Sequence, residues 1–268
     1  MDENIKYLVV AFNDSTGGAL KARRSNFLKN LKLNKDFVAF KLEYFLNCGD
    51  ISNVPFSNPD VYELFYTEPQ DVYNEIQKTI AKINSYNKKT PIELFVNPQR
   101  ANELCNLYFF AKIFANKENV SINYYHKENI EIKLKKLGTV LDTEIVIDKR
   151  IPLTNDLIAT FNQNWQRLVS NNSFVREFVC NDIKEYTMQE AKDKILPFFS
   201  ENFVRFPKLY DKLIETYDSE NPVDFTFVTF ECVTKKLIEG GIIERTSKTS
   251  TVSGCDDIYF EQDFRLKK

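Results

Sequence analysis

The sequence is poor in the residues from which many enzyme sites and crosslinks are built. Its 268 residues include one histidine, one tryptophan and five cysteines, and no two cysteines form a C-x-x-C motif. This pattern indicates neither a disulfide framework nor a zinc site, so we expect reduced thiols packed as small apolar groups. A single histidine excludes a His-rich metal centre. A Ser-His-Asp triad would have to use His126, far along the chain from the first polar loop, and we do not expect one.

Strong net charge and long apolar runs are also missing. The 36 Lys and Arg residues nearly balance the 38 Asp and Glu residues, which gives a formal net charge of −2. Strong attraction of the whole chain to nucleic acid is therefore not expected, although a local basic patch is compatible with these numbers. No stretch approaches the ~18 apolar residues of a membrane span, and residues 1–4 lack the features of a secretory signal. The sequence predicts a cytoplasmic protein without membrane contact.

Apolar and aromatic side chains are abundant. The apolar share is 43% and the charged share 28%, with 23 Phe and 13 Tyr residues. This composition is typical of a folded globular protein, and we interpret the rings as core residues rather than as a ligand box. The length suits one large domain or two of ordinary size.

The first strong pattern is a strand, a polar loop and a helix. An apolar run at residues 7–12 precedes the loop Asn-Asp-Ser-Thr-Gly-Gly, and residues 19–31 have the spacing of an amphipathic helix. Asp14 and Ser15 are good N-cap residues. Such a loop places backbone N–H groups and the positive end of a helix at the carboxyl edge of a sheet, where α/β proteins bind anionic ligands. It matches neither the P-loop nor G-x-G-x-x-G, and a capped turn without a ligand is the alternative.

A second strand and polar loop follow at residues 36–45 and 46–52. If the two strands are parallel neighbours, their loops emerge at the same edge of the sheet. The candidate ligand-binding residues are Asn13, Asp14, Ser15, Thr16, Gly17, Gly18, Lys21, Arg24, Glu43, Gly49 and Asp50. In this hypothesis the N–H groups of residues 15–18 bind an anion, and Lys21 or Arg24 adds positive charge. For Asp50 the alternative is an ordinary turn residue.

Three carboxylates of this set are candidates for metal binding or proton transfer. Asp14, Glu43 and Asp50 carry the oxygen ligands that Mg²⁺ prefers, and general acid–base chemistry would fall to the same groups. Their spacing sets no coordination geometry. We therefore assign no metal site, no catalytic residue and no cofactor from the sequence.

Strands and helices alternate through the N-terminal half. Strands are predicted at residues 92–96, 120–125 and 144–147, and helices within 53–91 and through 104–114. Asn97 is the predicted cap of the second helix, with Pro98 at its first position. This alternation predicts a Rossmann-like, mainly parallel α/β sheet over residues 1–149.

The predicted elements change near residue 150 from alternating strands and helices to mainly helices, and we place a domain boundary there. Helices are predicted within residues 154–168, 173–178, 187–199, 206–217 and 225–238. Thr187 and Glu190 fit a capping box, and Trp165 is interpreted as a core anchor. These features predict a mainly helical second domain over residues 150–268.

The chain ends in a pattern typical of a winged helix. The glycines at 240–241 stop the last helix, a strand follows at 242–245, and a returning strand is predicted at 258–260. Basic residues near this end are offset by acidic ones, so a packing or dimerisation module is favoured over DNA binding.

The strand–loop–helix start resembles a bacterial family known as domain of unknown function 1835. The turn of that family reads Gly-Asp-Ser-small-small-x-Leu, and this chain has Asn13 in place of the usual Gly. Further similarities lie at residues 44–51 and 93–114. A companion family, domain of unknown function 3658, is similar to this chain at residues 150–154, 165–168, 175–176 and 236–241. The resemblance covers nearly the whole chain and implies an architecture and a favoured loop, since the family supplies no settled activity.

Two classes of function follow from these patterns. The first is an intracellular protein that binds, or acts on, a small phosphorylated or nucleotide-like ligand at the loop after the first strand. The second is an interaction or regulatory protein whose winged-helix-like end binds a partner protein or nucleic acid. The sequence does not distinguish an enzyme from a binding protein, and it sets no oligomeric state.

Overall fold

The computed structural model describes residues 7–13, 16–18, 37–63, 67–134, 138–179, 182–218, 227–246 and 262–267. The predicted helix at residues 19–31 and the predicted strand at 258–260 lie outside these ranges. Within these ranges, no helix has the length and apolar character needed to cross a bilayer.

Ten strands and seven α-helices have both ends within the described residues, and residues 16–18 are helical as well. The strands are β1 (Tyr7–Ala11), β2 (Phe37–Lys41), β3 (Ile92–Val96), β4 (Val120–Leu134), β5 (Gly138–Pro152), β6 (Val175–Val179), β7 (Asp182–Tyr186), β8 (Val204–Arg205), β9 (Ile243–Arg245) and β10 (Asp263–Leu266). The helices are α1 (Pro59–Glu63), α2 (Pro69–Ser85), α3 (Ala101–Phe110), α4 (Asn155–Asn171), α5 (Met188–Ile195), α6 (Phe206–Asp218) and α7 (Phe227–Glu239). Two 3₁₀ helices follow α3 and α5, at Ala111–Phe114 and Leu196–Phe198.

The chain forms two compact units, each built from two segments. Unit 1 comprises Met1–Tyr44 and Asn74–Arg167, and unit 2 comprises Phe45–Tyr73 and Leu168–Lys268. This division differs from the predicted domains, 1–149 and 150–268, because residues 45–73 pack with the C-terminal half of the chain.

Unit 1 contains a five-stranded sheet in the order β2-β1-β3-β4-β5. The first four strands are parallel, and β5 runs antiparallel to β4. This confirms the mainly parallel α/β sheet predicted for the N-terminal half. In β1 the residues from Leu8 to Ala11 are completely buried, as expected for a strand covered on both faces.

The strand order creates a switch point between β1 and β3. The chain passes from β1 to β2 on one side and then returns to β3 on the other side. In open α/β sheets, the loops at the carboxyl ends of the strands diverge at such a point and leave a crevice for ligands. The polar residues after β1 and β3 therefore lie where a ligand crevice is expected.

The helices of unit 1 follow their predicted spacing with one correction. Trp165 is buried against Phe109, with ring centroids 5.0 Å apart, which confirms its role as a core anchor. The predicted cap of α3 is wrong, because the helix begins at Ala101 rather than at Pro98. Asn97 Oδ1 instead accepts from the N–H of Gln99 at 3.0 Å, which forms a tight turn before the helix.

The β4–β5 hairpin is longer than the sequence analysis predicted. Residues 126–149 were expected to be mixed, with one short strand, but they pair in antiparallel register from Ser121–Pro152 to Leu134–Gly138. The missed signal is the alternation of apolar and charged residues along 130–134, which is typical of a strand.

Unit 2 has a hairpin, a three-stranded sheet and helices. The predicted helix at residues 173–178 is wrong, because β6 pairs with β7 in an antiparallel hairpin. The predicted capping box is confirmed: Thr187 Oγ1 accepts from the N–H of Glu190, whose carboxylate accepts from the N–H of Thr187. The three-stranded sheet has the order β8-β10-β9.

Aromatic rings form much of the core of unit 2. Phe206 lies 5.0 Å from Phe230 and 5.5 Å from Phe264 between ring centroids, and all three are fully buried. Gly241 has φ +67°, a left-handed conformation that ends α7 as predicted. The strand that returns to β9 is β10, at Asp263–Leu266.

Candidate functional site

Buried polar side chains meet at the carboxyl edge of the sheet in unit 1. Asn13 follows β1, Asn97 follows β3, Glu103 lies in the first turn of α3, and Tyr125 lies in β4 just beyond its pairing with β3. Together with Thr16 these residues form the set that we call the edge network, and none is more than 8% exposed. Burial of so many polar groups requires that they hydrogen-bond to one another.

Glu103 is the main acceptor of the edge network. Its Oε1 accepts from Asn13 Nδ2 at 2.7 Å, and its Oε2 accepts from the backbone N–H of Asn97 at 2.8 Å. The Tyr125 hydroxyl lies 3.1 Å from both carboxylate oxygens and donates to them. One carboxylate thus holds groups from three separate parts of the chain.

The direction of the remaining hydrogen bonds follows from the Tyr125 proton. Tyr125 has one hydroxyl proton, which it gives to Glu103, so its oxygen accepts from Asn13 Nδ2 at 2.8 Å. Thr16 Oγ1 lies 2.8 Å from the same oxygen and must be the donor. Burial and the neighbouring Glu103 carboxylate raise the pKa of Tyr125 far above its usual range, so the phenol stays protonated.

Asn13 caps the turn that the sequence analysis assigned to Asp14 and Ser15. Asn13 Oδ1 accepts from the N–H of Thr16 at 2.7 Å, and its carbonyl accepts from the N–H of Gly17 at 3.0 Å. Two of the N–H groups that the sequence predicted for an anion are therefore already used within the loop. The structural role of Asn13 is to join this turn to Glu103.

The two glycines of the loop have different surroundings. A Cβ on Gly17 would touch Lys41 Cβ at 3.5 Å, an ordinary van der Waals distance, and Gly17 itself is buried. A Cβ on Gly18 would meet no atom within 4 Å, and Gly18 is exposed. Gly18 therefore marks the open side of the loop.

The remaining described candidates fall in both units. Glu43 belongs to unit 1, where its Oε1 accepts from Asn102 Nδ2 at 3.2 Å, beside the start of α3. Gly49 and Asp50 belong to unit 2. Asp14, Ser15, Lys21 and Arg24 lie outside the described residues.

Asp50 makes the contacts of an ordinary turn residue, which was the alternative interpretation given for it from the sequence. Its Oδ1 accepts from the N–H of Ser52 and from Asn172 Nδ2, each at 2.8 Å. Burial acts to raise the pKa of Asp50, but these hydrogen bonds and the charge of Arg176 together hold the pKa below its usual value. Among the described residues, no group of three or more His, Cys, Asp and Glu side chains is arranged to hold a metal ion.

Gly49 and Gly18 give a direct test of which candidate glycine is structural. Gly49 has φ +76°, and a Cβ there would collide with the side-chain amide of Asn58. We expect Gly49→Ala to lower the free energy of unfolding by at least ~2 kcal/mol. The matched change Gly18→Ala should alter it by less than ~1 kcal/mol, since the space is open. Urea denaturation measures both, and equal losses would contradict the assignment.

Sequence reasoning found Asn13 and Thr16 but missed Asn97, Glu103 and Tyr125. Asn97 and Glu103 follow β3 as Asn13 follows β1. Since both strands were predicted to be parallel, the polar residues after each were detectable as neighbours at one edge. Nothing in the sequence indicated the role of Tyr125, because an aromatic residue at the end of a strand is normally interpreted as a core residue.

Comparisons with protein-family models, curated proteins and solved structures find no match to this chain.

Proposed function

We propose that unit 1 binds a small phosphorylated or nucleotide-like ligand over the loop after β1. The observation that supports this proposal is the edge network, which fixes the loop after β1, the loop after β3 and the start of α3 at the switch point of the sheet. Ligand sites on α/β sheets are commonly built at this position.

The chemistry of the edge favours an anion. The helical residues 16–18, capped by Asn13, and helix α3 both start here, and helix starts carry partial positive charge. Arg100, the N-cap residue of α3, is exposed and adds a positive charge at this helix start. A phosphate over the open side at Gly18 would meet these groups.

In this proposal the buried members of the edge network position the loops and do not contact the ligand. Glu103 and Tyr125 are at most 1% exposed and are occupied by hydrogen bonds to Asn13, Asn97 and Thr16. Their contribution is to hold the two loops in one conformation before the ligand binds, which reduces the entropy cost of binding.

A kinship with the family known as domain of unknown function 1835 is part of the same proposal. The loop that this family favours corresponds to residues 13–18, where Asn13 Oδ1 accepts from the N–H of Thr16. An asparagine at the family's usual glycine position supplies the side chain that reaches Glu103.

A thermal-shift screen with a charge variant tests the proposal. The probes are ATP, NAD⁺ and glucose 6-phosphate, each with and without Mg²⁺. We expect at least one probe, at saturating concentration, to raise the Tm of the wild type by ~5 °C or more. Gly18→Asp should remove that shift, because a carboxylate on the open side repels the anion.

Asn116→Asp is the matched control. It adds one negative charge before β4, at the amino edge of the same sheet, where residue 116 is exposed. This variant should keep the full Tm shift. The proposal fails if no probe stabilises the wild type, or if Gly18→Asp is stabilised as strongly as Asn116→Asp.

A second proposal concerns unit 2, whose element order supports a winged-helix-like end. A helix, a short strand, two helices and two strands follow one another as α5, β8, α6, α7, β9 and β10, with the third strand in the middle of the sheet. In DNA-binding versions one helix must be exposed to enter the major groove. Here Thr229, Glu231 and Thr234 of α7 are all at most 4% exposed, which favours a packing or protein-interaction role for this end.

A further inference from the structure

Two cysteines that are far apart in sequence lie side by side in unit 2. Cys48 Sγ and Cys232 Sγ are 3.4 Å apart, although 184 positions separate the residues. Cys48 is completely buried and Cys232 is 4% exposed. The third described cysteine, Cys105, belongs to α3 in unit 1.

Hydrogen bonds next to each cysteine hold the two sulfur atoms in place. Cys48 forms an isolated antiparallel bridge with Val175. Gly49 donates its N–H to the carbonyl of Phe174 at 2.7 Å. Asn47 Nδ2 donates to Thr229 Oγ1 at 2.8 Å, one residue before Cys48 and about one helical turn before Cys232. The approach of the two thiols is therefore a fixed feature of unit 2.

We propose that Cys48 and Cys232 form a reversible disulfide when a peroxide oxidises one of them. The sulfur atoms would have to approach by about 1.4 Å to reach the ~2.0 Å of an S–S bond. Cys232 is 4% exposed whereas Cys48 is completely buried, so we assign the first oxidation to Cys232. The pair is reduced until oxidant is present, in agreement with the thiols expected from the sequence.

The chemistry takes two balanced steps. The Cys232 thiolate attacks one peroxide oxygen, the O–O bond breaks, and a sulfenic acid and water form once the thiol proton is counted. The Cys48 sulfur then attacks the sulfenic sulfur, and the S–S bond forms as the hydroxyl group leaves with the Cys48 proton as water. Two thiols are oxidised by two electrons, and one hydrogen peroxide is reduced to two waters.

The consequence is a covalent tie between residues 45–73 and helix α7. Because the closed loop is long, the crosslink restricts the unfolded chain strongly. Oxidation should therefore raise the thermal stability of unit 2, and a thiol reductant should reverse the rise.

Peptide mapping of the full-length protein tests the proposal. The protein is treated with hydrogen peroxide, blocked with N-ethylmaleimide and digested with trypsin. Cleavage places Cys48 in the peptide 42–78 and Cys232 in the peptide 213–235. We expect these two peptides to be recovered joined, lighter by two hydrogen atoms, in roughly tenfold excess over any other pair. Dithiothreitol should separate them, and the oxidised protein should show a higher Tm.

The controls separate a native pair from random oxidation. Protein oxidised in urea should give several cysteine pairs, Cys48→Ala and Cys232→Ala should give no joined peptide of this mass, and Cys105→Ala should leave it unchanged. The proposal is overturned if native protein gives the mixture seen in urea, or if Cys232 accumulates as sulfinic acid with no joined peptide. It is equally overturned if no thiol reacts at a peroxide dose that fully oxidises the protein in urea.

Discussion

Glu103→Ala is expected to lower the free energy of unfolding of unit 1 by about 3–5 kcal/mol. The substitution removes the acceptor of three buried donors: Asn13 Nδ2, the N–H of Asn97 and the Tyr125 hydroxyl. Each donor left without a partner away from water costs about 1–3 kcal/mol. Urea denaturation followed by Trp165 fluorescence measures the effect, because the single tryptophan lies in the core of unit 1.

Two further variants give the Glu103 result its meaning. Glu103→Gln keeps the shape of the side chain but turns one acceptor into a donor, which conflicts with Asn97 or Asn13, and we expect a loss of about 1–3 kcal/mol. Glu118→Ala removes an exposed carboxylate of the same unit and should change stability by less than about 0.5 kcal/mol. If Glu103→Ala were as mild as Glu118→Ala, the edge network would not hold the loops together.

The parallel sheet was predictable because its strands carry a strong local signal. β1 is a continuous apolar run, β3 is an apolar run interrupted only by Glu93, and the other residues of both strands are mostly buried as that pattern predicts. The order of these strands in the sheet could not be predicted from the sequence of any single strand. It depends on pairings between segments far apart in sequence, which the local pattern does not specify.

The hairpin of β6 and β7 shows why local reading failed in unit 2. Arg176 and Glu177 sit next to each other in β6, and both are completely buried. Two adjacent charged residues are unusual in a buried strand, and residues 173–178 were predicted to be a helix. Pairing with β7, the capture of Arg176 by backbone carbonyls, and the ion pair between Glu177 and Lys194 at 3.0 Å override that preference.

Only the part of the candidate site that lies in one local segment could be predicted from the sequence. Asn13 and Thr16 belong to a loop with a clear turn signature. Glu103 lies 90 positions from Asn13 and 22 from Tyr125. A single carboxylate in the first turn of a helix reads as a favourable partner of the helix dipole. Only the fold reveals that it faces inward and joins three strand ends.

The C-terminal half, residues 150–268, is expected not to fold when expressed alone. It contains Arg176, the largest fully buried side chain in the described part of the chain, whose Nη1 donates to the carbonyls of Leu46 at 3.2 Å and Gly49 at 3.1 Å. It also lacks Cys48 and Val61, two members of the apolar core of unit 2. Without residues 45–73, a buried guanidinium loses its acceptors and the core is left open to water. We expect poorly dispersed amide NMR signals and no cooperative thermal transition.

A fusion that restores the missing segment separates this expectation from a general failure of fragments. Residues 45–73, joined through a flexible Gly/Ser linker to residues 150–268, should regain dispersed signals and a cooperative transition. The same 29 residues in scrambled order should not rescue the fragment, because the effect depends on the Leu46 and Gly49 carbonyls and on Cys48 and Val61 in their native positions. A cooperative transition in 150–268 alone would instead support a domain boundary at residue 150. It would also mean that residues 45–73 cover a core that is already complete.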